Sequence, residues 1–447
     1  WTTVDNWSSY TAPNYVHADK HTAIFYPGST TDILVGTDGG IFKTTNGGTN
    51  WSDLSNGLAI AQIYRLGTTP QNTDLVISGW QDNGCNKWDG TNWTRVYGAD
   101  GMEAAIDYTN ENTMYEEYQY GGLQRSTNGG TSWSYIAPSS GFWLTPFIID
   151  PVNSSRLYYG AFGSLYKSDN KGTNWSTVKG VSIGDYIMAI AVAPSNNNIV
   201  YVAGNNRIMK ADLTTNTATN ITGTLPTTTS GINYIAVSDT DPNKVWVAMA
   251  GYTAGDKVFR TTDGGATWTN VSGTLPNIPV NTIVYHNGSS DRVFIGTDIG
   301  VFMIDDSLTD WVVYGKKLPN VMVHELEINY TSNELVAATY GRGIWQTHVP
   351  NRTPVAVAAG TKATPQLKAN LYPNPTNGLV NISVEDAQGE VLVDVYKITG
   401  DKAASYRFNA AAAKNIRLDL SSQPFGNYIV RIQSGDAVTT KTIQLNK

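Results

Sequence analysis

The sequence predicts an all-β protein: a multi-bladed β-propeller, with eight blades as the first reading and seven as the alternative, followed by a small immunoglobulin-like β-sandwich. Three observations predict it. The 447 residues exceed the roughly 250–300 at which a single core stops growing, so a closed repeat is the simplest architecture. Charged residues make up only 15%, while Gly (43), Tyr (25) and Trp (13) are abundant, which suits short strands and tight turns. And one pattern returns along the chain: an apolar strand, a turn rich in Pro, Asp and Asn, a second strand ending in Gly, and a third running into a Gly-rich turn and Trp.

The first copy is AIFYPGSTTDILVGTDGGIFKTTNGGTNW, ending at Trp51. Comparable strands start near Ala23, Tyr64, Ala104, Phe147, Met188, Tyr234, Ile283 and Leu326, and their spacing of roughly 40–50 residues is that of a four-stranded blade. The last copy, LEINYTSNELVAATYGRGIW, stops at its third strand, whereas WTTVDNW at the beginning reads as a fourth strand with nothing before it. The two ends are therefore expected to complete one blade, which removes an open sheet edge. The segments near Ile208 and Met303 lack a clean turn, which leaves open seven blades or a ring continuing upstream of Trp1.

The turns carry the most specific signal. Thr44-x-Asn46-x-Gly48-x-Asn50-Trp51, Ser126-x-Asn128-x-Gly130-x-Ser132-Trp133, Ser168-x-Asn170-x-Gly172-x-Asn174-Trp175 and Thr261-x-Asp263-x-Gly265-x-Thr267-Trp268 share one template, with weaker versions ending at Trp93 and Trp311. An Asp or Asn side chain can accept hydrogen bonds from the turn's own backbone, Gly supplies φ > 0, and Trp folds back as a wedge between strands. This is structural work. The turns resemble the Asp-box, or bacterial neuraminidase repeat, of sialidases, xyloglucan-cleaving propellers and sortilin-like receptors. The resemblance implies that they lie on the blade periphery, away from the central pocket.

Residues 1–349 read as the propeller, 350–369 as a linker and 370–447 as a separate β-sandwich of about seven strands. Alternation at Val391, Val393, Val395 and at Tyr428, Val430, Ile432 marks its strands. Tyr372-Pro373-Asn374-Pro375, Gly378, the central VYKITG, Gly426-x-Tyr428 and a last strand ending at Lys447 resemble the type A sorting domain of the type IX secretion system of the Bacteroidota. The resemblance implies Sec and type IX export to the outer-membrane surface or beyond, with the translocon and the surface attachment machinery as partners. It also implies removal of the tail by a surface protease and attachment to lipopolysaccharide.

Thirty Lys+Arg against 37 Asp+Glu, a formal charge of −7, give no broad basic surface, which argues against a nucleic-acid partner. Cys85 is the only cysteine, so no intrachain disulfide can form. No apolar run approaches the ~20 residues of a membrane helix. The chain begins at Trp1 and reads as a mature or trimmed product.

A sialidase should offer three substrate-clamping arginines, yet none precedes Arg65, and Arg125 and Arg260 share a strand position with Lys43 and Lys167. Serine and cysteine nucleophile signatures are missing. A glycosidase needs two carboxyl groups with pKa values pushed apart; the inner strand ends offer Asp19, Asp82, Asp100, Glu103 and Glu117. Asp38 and Asp298 occupy the same Gly-Thr-Asp turn and read as turn caps. Trp80, Tyr118, Tyr120, Trp143 and Tyr340, with Arg342, lie near loop or strand ends, where rings can stack on sugars or anchor a protein; inter-blade packing is the alternative role. His17-x-Asp19-x-His21 falls on one face of an extended strand, which makes it a candidate divalent-metal site or a hydrogen-bonded histidine cluster. No other cofactor is implied. The function read first is a surface-displayed or secreted binding protein for a glycan or protein, the second a glycoside hydrolase, the third a structural component of an extracellular assembly.

Overall fold

The computed structural model describes residues 2–349, 367–385, 387–397, 402–435 and 437–446. Trp1, most of the expected linker, part of VYKITG and Lys447 lie outside the described residues. The chain divides into two compact units, Trp1–Pro354 and Val355–Lys447.

The first unit is a multi-bladed β-propeller. Eight antiparallel sheets follow in chain order, each a simple meander: residues 20–53, 63–97, 101–135, 147–177, 187–220, 232–270, 280–314 and, with three strands, 323–348. The ring holds seven of them. Ile63–Thr68, the first strand of the second sheet, lies beside Gly101–Ile106 of the third on one side and Val323–Asn329 of the eighth on the other. Sheets two to eight close the circle and the first stands outside it. Its innermost strand, Lys20–Phe25, is exposed at all six positions, and a small core of Val16, Val35 and Phe42 holds it together. The repeat count of eight is thus met by sheets but not by the ring.

The expected pairing of Thr2-Thr3-Val4 with the last blade is not found. The Val4 carbonyl instead accepts the Trp51 indole N–H of the first sheet (3.0 Å). The reason is visible in four other sheets, where the Trp after the turn donates to the chain at the end of the preceding sheet: Trp133 to Val96 (3.0 Å), Trp175 to Ile136 (2.7 Å), Trp268 to Ile221 (2.7 Å) and Trp311 to Val271 (2.8 Å). Val4 occupies that position for the first sheet. Trp93 belongs to the second sheet, whose ring neighbour is the eighth and not the first, and it packs against Trp80 (5.1 Å) and Trp88 (5.5 Å).

Inside each full turn the bonding repeats. Thr44, Ser126, Ser168 and Thr261 accept the N–H of Gly48, Gly130, Gly172 and Gly265 (2.9–3.0 Å), while Asn46, Asn128, Asn170 and Asp263 accept the N–H four residues on (2.8–3.0 Å). Each of these glycines has φ between 83° and 93°. At Gly48, Gly172 and Gly265 a Cβ would come within 2.6 Å of Val4, Ile136 and Ile221, so any other residue would be strained and would have to displace these side chains.

Closure of the ring uses side chains against backbone. On Val323–Asn329, alternate residues face the second sheet: Glu325 Oε2 accepts Leu66 N–H (2.5 Å), Glu327 Oε2 accepts Thr68 N–H (2.8 Å), and Asn329 donates to the Thr69 carbonyl (3.1 Å). Beside them Ile63, Leu66 and Val76 pack on Val336 and Ala338.

Among the described residues the second unit is a seven-stranded sandwich. Ala369–Tyr372, Leu379–Val384 and Ile416–Asp419 form one sheet; Lys402–Asn409, Glu390–Lys397, Gly426–Ser434 and Ala437–Leu445, in that order, form the other. Val391, Val393 and Val395 meet Val380, Ile382, Val430 and Ile432 between them. The Tyr372–Pro375 turn is strapped to the last strand: Asn374 bonds Thr442 and Gln444 (both 2.8 Å), and Thr376 exchanges bonds with Gln444 and Asn446 (2.9 and 2.8 Å). Gly378 sits at φ 126° against Ser421, and the Tyr428 hydroxyl, two residues beyond Gly426, donates to the Pro424 carbonyl (2.6 Å).

Candidate functional site

Three tight turns meet where the first sheet touches the ring. Asp19 precedes the first strand, Asp38 lies in the turn between Ile33–Thr37 and Gly40–Thr44, and Asp82 in the turn between Leu75–Trp80 and Gly84–Asp89. Asp19 and Asp82 take left-handed backbone (φ 51° and 60°), which Asp tolerates better than most residues. The three carboxylates each place an oxygen within 4.8 Å of the others. Asp100 completes the group: its Oδ1 accepts the Asp82 N–H (2.7 Å), and its own N–H donates to Gln119 (3.1 Å). Burial, the Asp100 hydrogen bond and then the charges of Asp100, Asp38 and Asp19 raise the Asp82 carboxyl to about 6.

A second cluster adjoins it. The hydroxyls of Tyr64 and Tyr340 both donate to Gln81 Oε1, and Trp143 donates to Tyr64 Oη (3.2 Å). His324 lies between the two tyrosine rings (5.7 and 4.9 Å), and burial followed by the Arg65 charge lowers it to about 4. Between the first, second and eighth sheets runs a cleft of about 380 Å³ lined by Asp38, Asn83, Trp80, Trp93 and Arg342.

Of the expected site residues, Trp80 and Arg342 line the cleft, Asp19, Asp82 and Asp100 gather beside its Asp38, and Tyr340 meets Gln81, with Trp143 attached through Tyr64. Tyr120 is exposed beside Trp143 (5.3 Å), whereas Tyr118 is half-buried and stacks on Tyr97 (5.9 Å). Glu117 lies elsewhere, its carboxylate accepting Thr145 N–H (3.0 Å) in the seam between the third and fourth sheets. Glu103 faces the ring axis and pairs with Arg65 (3.3 Å).

His17, Asp19 and His21 do not converge. The left-handed Asp19 breaks the alternation that would put them on one face. His17 is buried and its Nε2 bonds the Asp82 carbonyl (3.1 Å), while His21 is exposed and bonds the Asp38 carboxylate. The donor set able to share one cation is Asp19, Asp38 and Asp82, three oxygen donors suited to a hard ion. Asp38 is thus no simple turn cap, and neither is Asp298, whose carboxylate accepts the Asn281 amide and the Tyr252 hydroxyl (both 3.0 Å). Sequence reasoning also passed over Tyr64 and Gln81, although WQDNG, a polar run at a second-strand end, was a visible signal.

No curated protein matches the sequence. Solved structures share the fold: YCF48 from Cyanidioschyzon merolae at 12% identity (TM-score 0.50, covering 65% of this chain and 96% of that one), and an ancestral GH74 enzyme at 16% (0.55, 88% and 61%). The outer coat vertex of COPII on membranes does so at 11% (0.53, 78% and 98%). At such identities the likeness is one of propeller architecture. For the second unit the match is by sequence: residues 370–446 belong to the family described as the secretion system C-terminal sorting domain, which implies export by type IX secretion to the cell surface or extracellular space.

Proposed function

We propose that this chain is an exported Asp-box β-propeller that binds a glycan in the cleft between its first sheet and its ring. The supporting observation is a cleft lined by Trp80, Trp93, Arg342 and Asp38, with Asp19, Asp82 and Asp100 grouped beside Asp38. Carbohydrate recognition needs flat apolar faces beside several fixed hydrogen-bond acceptors, and indole and carboxylate supply both. The four carboxylates against the single Arg342 favour a neutral glycan over an acidic one. A glycan array with the full chain, read for binding and for release of reducing ends, tests the reading; saturable binding lost in Trp80→Ala supports it, and retention of binding in that variant overturns it.

Glycoside hydrolysis is the second reading. Asp82, raised to about 6, has the character of a proton donor, and the carboxylates of Asp19, Asp38 and Asp100 beside it offer a partner to act as nucleophile or base. Turnover abolished in Asp82→Asn while binding persists would select this reading over simple binding. A cation held by Asp19, Asp38 and Asp82 would orient sugar hydroxyls in either case.

A further inference from the structure

At the ends of the ring's first strands remote from the cleft, a cavity of about 550 Å³ enters the axis. Its walls combine backbone and aliphatic side chains with Tyr234, Tyr285 and Tyr330 and three carboxyl groups, Glu103, Glu325 and Glu327. None of its lining residues is Lys, Arg or His. Glu103 and Glu325 are only 9% and 5% exposed, and Glu327 is half-buried.

The charges do not balance. Arg65 is the one cation in reach: its Nε lies 3.3 Å from Glu103, while its Nη1 donates to the Tyr64 and His324 carbonyls (3.1 and 2.8 Å). Glu325 is served by Leu66 N–H and the Tyr234 hydroxyl (3.1 Å), and Glu327 by the N–H and hydroxyl of Thr68 (both 2.8 Å), all neutral donors. Glu103 and Glu325 thus share one guanidinium and Glu327 has neutral donors alone, and burial penalises an unpaired anion. Burial raises all three: Glu325 to about 7, with Arg65, the Leu66 N–H and the Tyr234 hydroxyl opposing; Glu327 to about 8, with the Glu325 charge adding and the Thr68 bonds opposing; and Glu103 well up, with Glu325, Glu117 and Glu327 repelling it and Arg65 opposing. Tyrosine faces attract cations in addition. The glutamates are not among the described groups close enough to share a metal ion, and the space far exceeds a bare ion.

We propose that the axial cavity binds an organic cation, a primary ammonium on a narrow aliphatic stem, as a free amine or a lysine side chain carries. The tyrosine rings flank the stem and Glu327 and Glu325 receive the ammonium. The site is independent of the cleft. Binding shifts protons: an ammonium lowers the carboxyl pKa values, so uptake near neutral pH releases protons and affinity rises with pH.

Calorimetry of the full chain with cadaverine tests this, in two buffers of different ionisation heat at pH 6 and 8.5. Saturable binding, about tenfold tighter at the higher pH and with buffer-dependent heat, is expected. Glu327→Gln should weaken it about tenfold or more, and Asp82→Asn should leave it unchanged. If Glu327→Gln does not fold, Glu325→Gln serves in its place. A lysine-bearing peptide binding more tightly than cadaverine points to a protein ligand, the reverse order to a free amine. No binding at millimolar cadaverine, equal binding of 1,5-pentanediol, or full affinity in the glutamine variant overturns the proposal.

Discussion

The Trp51 indole donates to the carbonyl of Val4 across 47 residues, just as Trp268 donates to Ile221 across 47 and Trp133 to Val96 across 37. One bond of this kind ties each of five sheets to the chain before it, whatever the loops between. In the ring it joins two packed blades; in the first sheet it joins the sheet to the irregular segment around Val4.

Replacement of these indoles should therefore have unequal effects. Trp268→Phe removes a hydrogen bond worth about 0.5–1.5 kcal/mol inside the ring and should lower the main unfolding midpoint accordingly. Trp51→Phe should leave that midpoint nearly unchanged and raise amide exchange in residues 20–53, measured by hydrogen–deuterium exchange with mass spectrometry.

Removal of residues 1–7 follows the same logic. The ring closes without them, so the principal melting transition should persist while the first sheet loses protection. A large fall in the principal transition would show that the ring needs this segment.

Stability should decline with rising pH. Glu325 near 7 and Glu327 near 8 stand above the roughly 4.3 of an unfolded glutamate, so the folded chain retains protons the unfolded chain releases. Their contribution is full below about pH 4 and is lost as pH rises through 8. Urea midpoints at pH 5.5 and 8.5 check the direction, and Glu327→Gln should flatten the difference.

Calcium titration tests the carboxylate group at the cleft. If Asp19, Asp38 and Asp82 share a cation, calcium should raise the melting temperature of the wild type but not of Asp38→Asn. Equal shifts in both would remove the ion from the site.

A chain ending near Thr353 should fold and keep its glycan but remain in the periplasm of its host, since residues 370–446 match a sorting domain. Localisation by fractionation decides it. Normal appearance in the medium would show that the tail is dispensable for export.

Much of the architecture is legible in the turns, because a Gly forced to positive φ and a Trp at fixed distance leave few alternatives. The ring count is not. Lys20–Phe25 has the same pattern as the true inner strands, and only the identity of its neighbour, settled by tertiary packing, exposes it. The histidine triplet misleads because alternation presumes an unbroken strand, and Asp19 breaks it. Asp38 was hidden by its likeness to Asp298, since identical turns can aim their side chains at different neighbours. Glu325 and Glu327 carried a readable signal: two acids at strand spacing in an otherwise apolar inner strand.

The carboxylates that close the ring have a consequence for the order of assembly. Leu66 and Glu325 are separated by 259 residues, as are Thr68 and Glu327. Each of the other ring seams joins consecutive sheets and can form as soon as the later one exists. The last seam is different: the backbone donors of Ile63–Thr68 must stay with water until the eighth sheet arrives, so the slowest contact to establish is also the one that shuts the axis. The ring is a belt, and its buckle is fastened only when both ends of the leather are in hand.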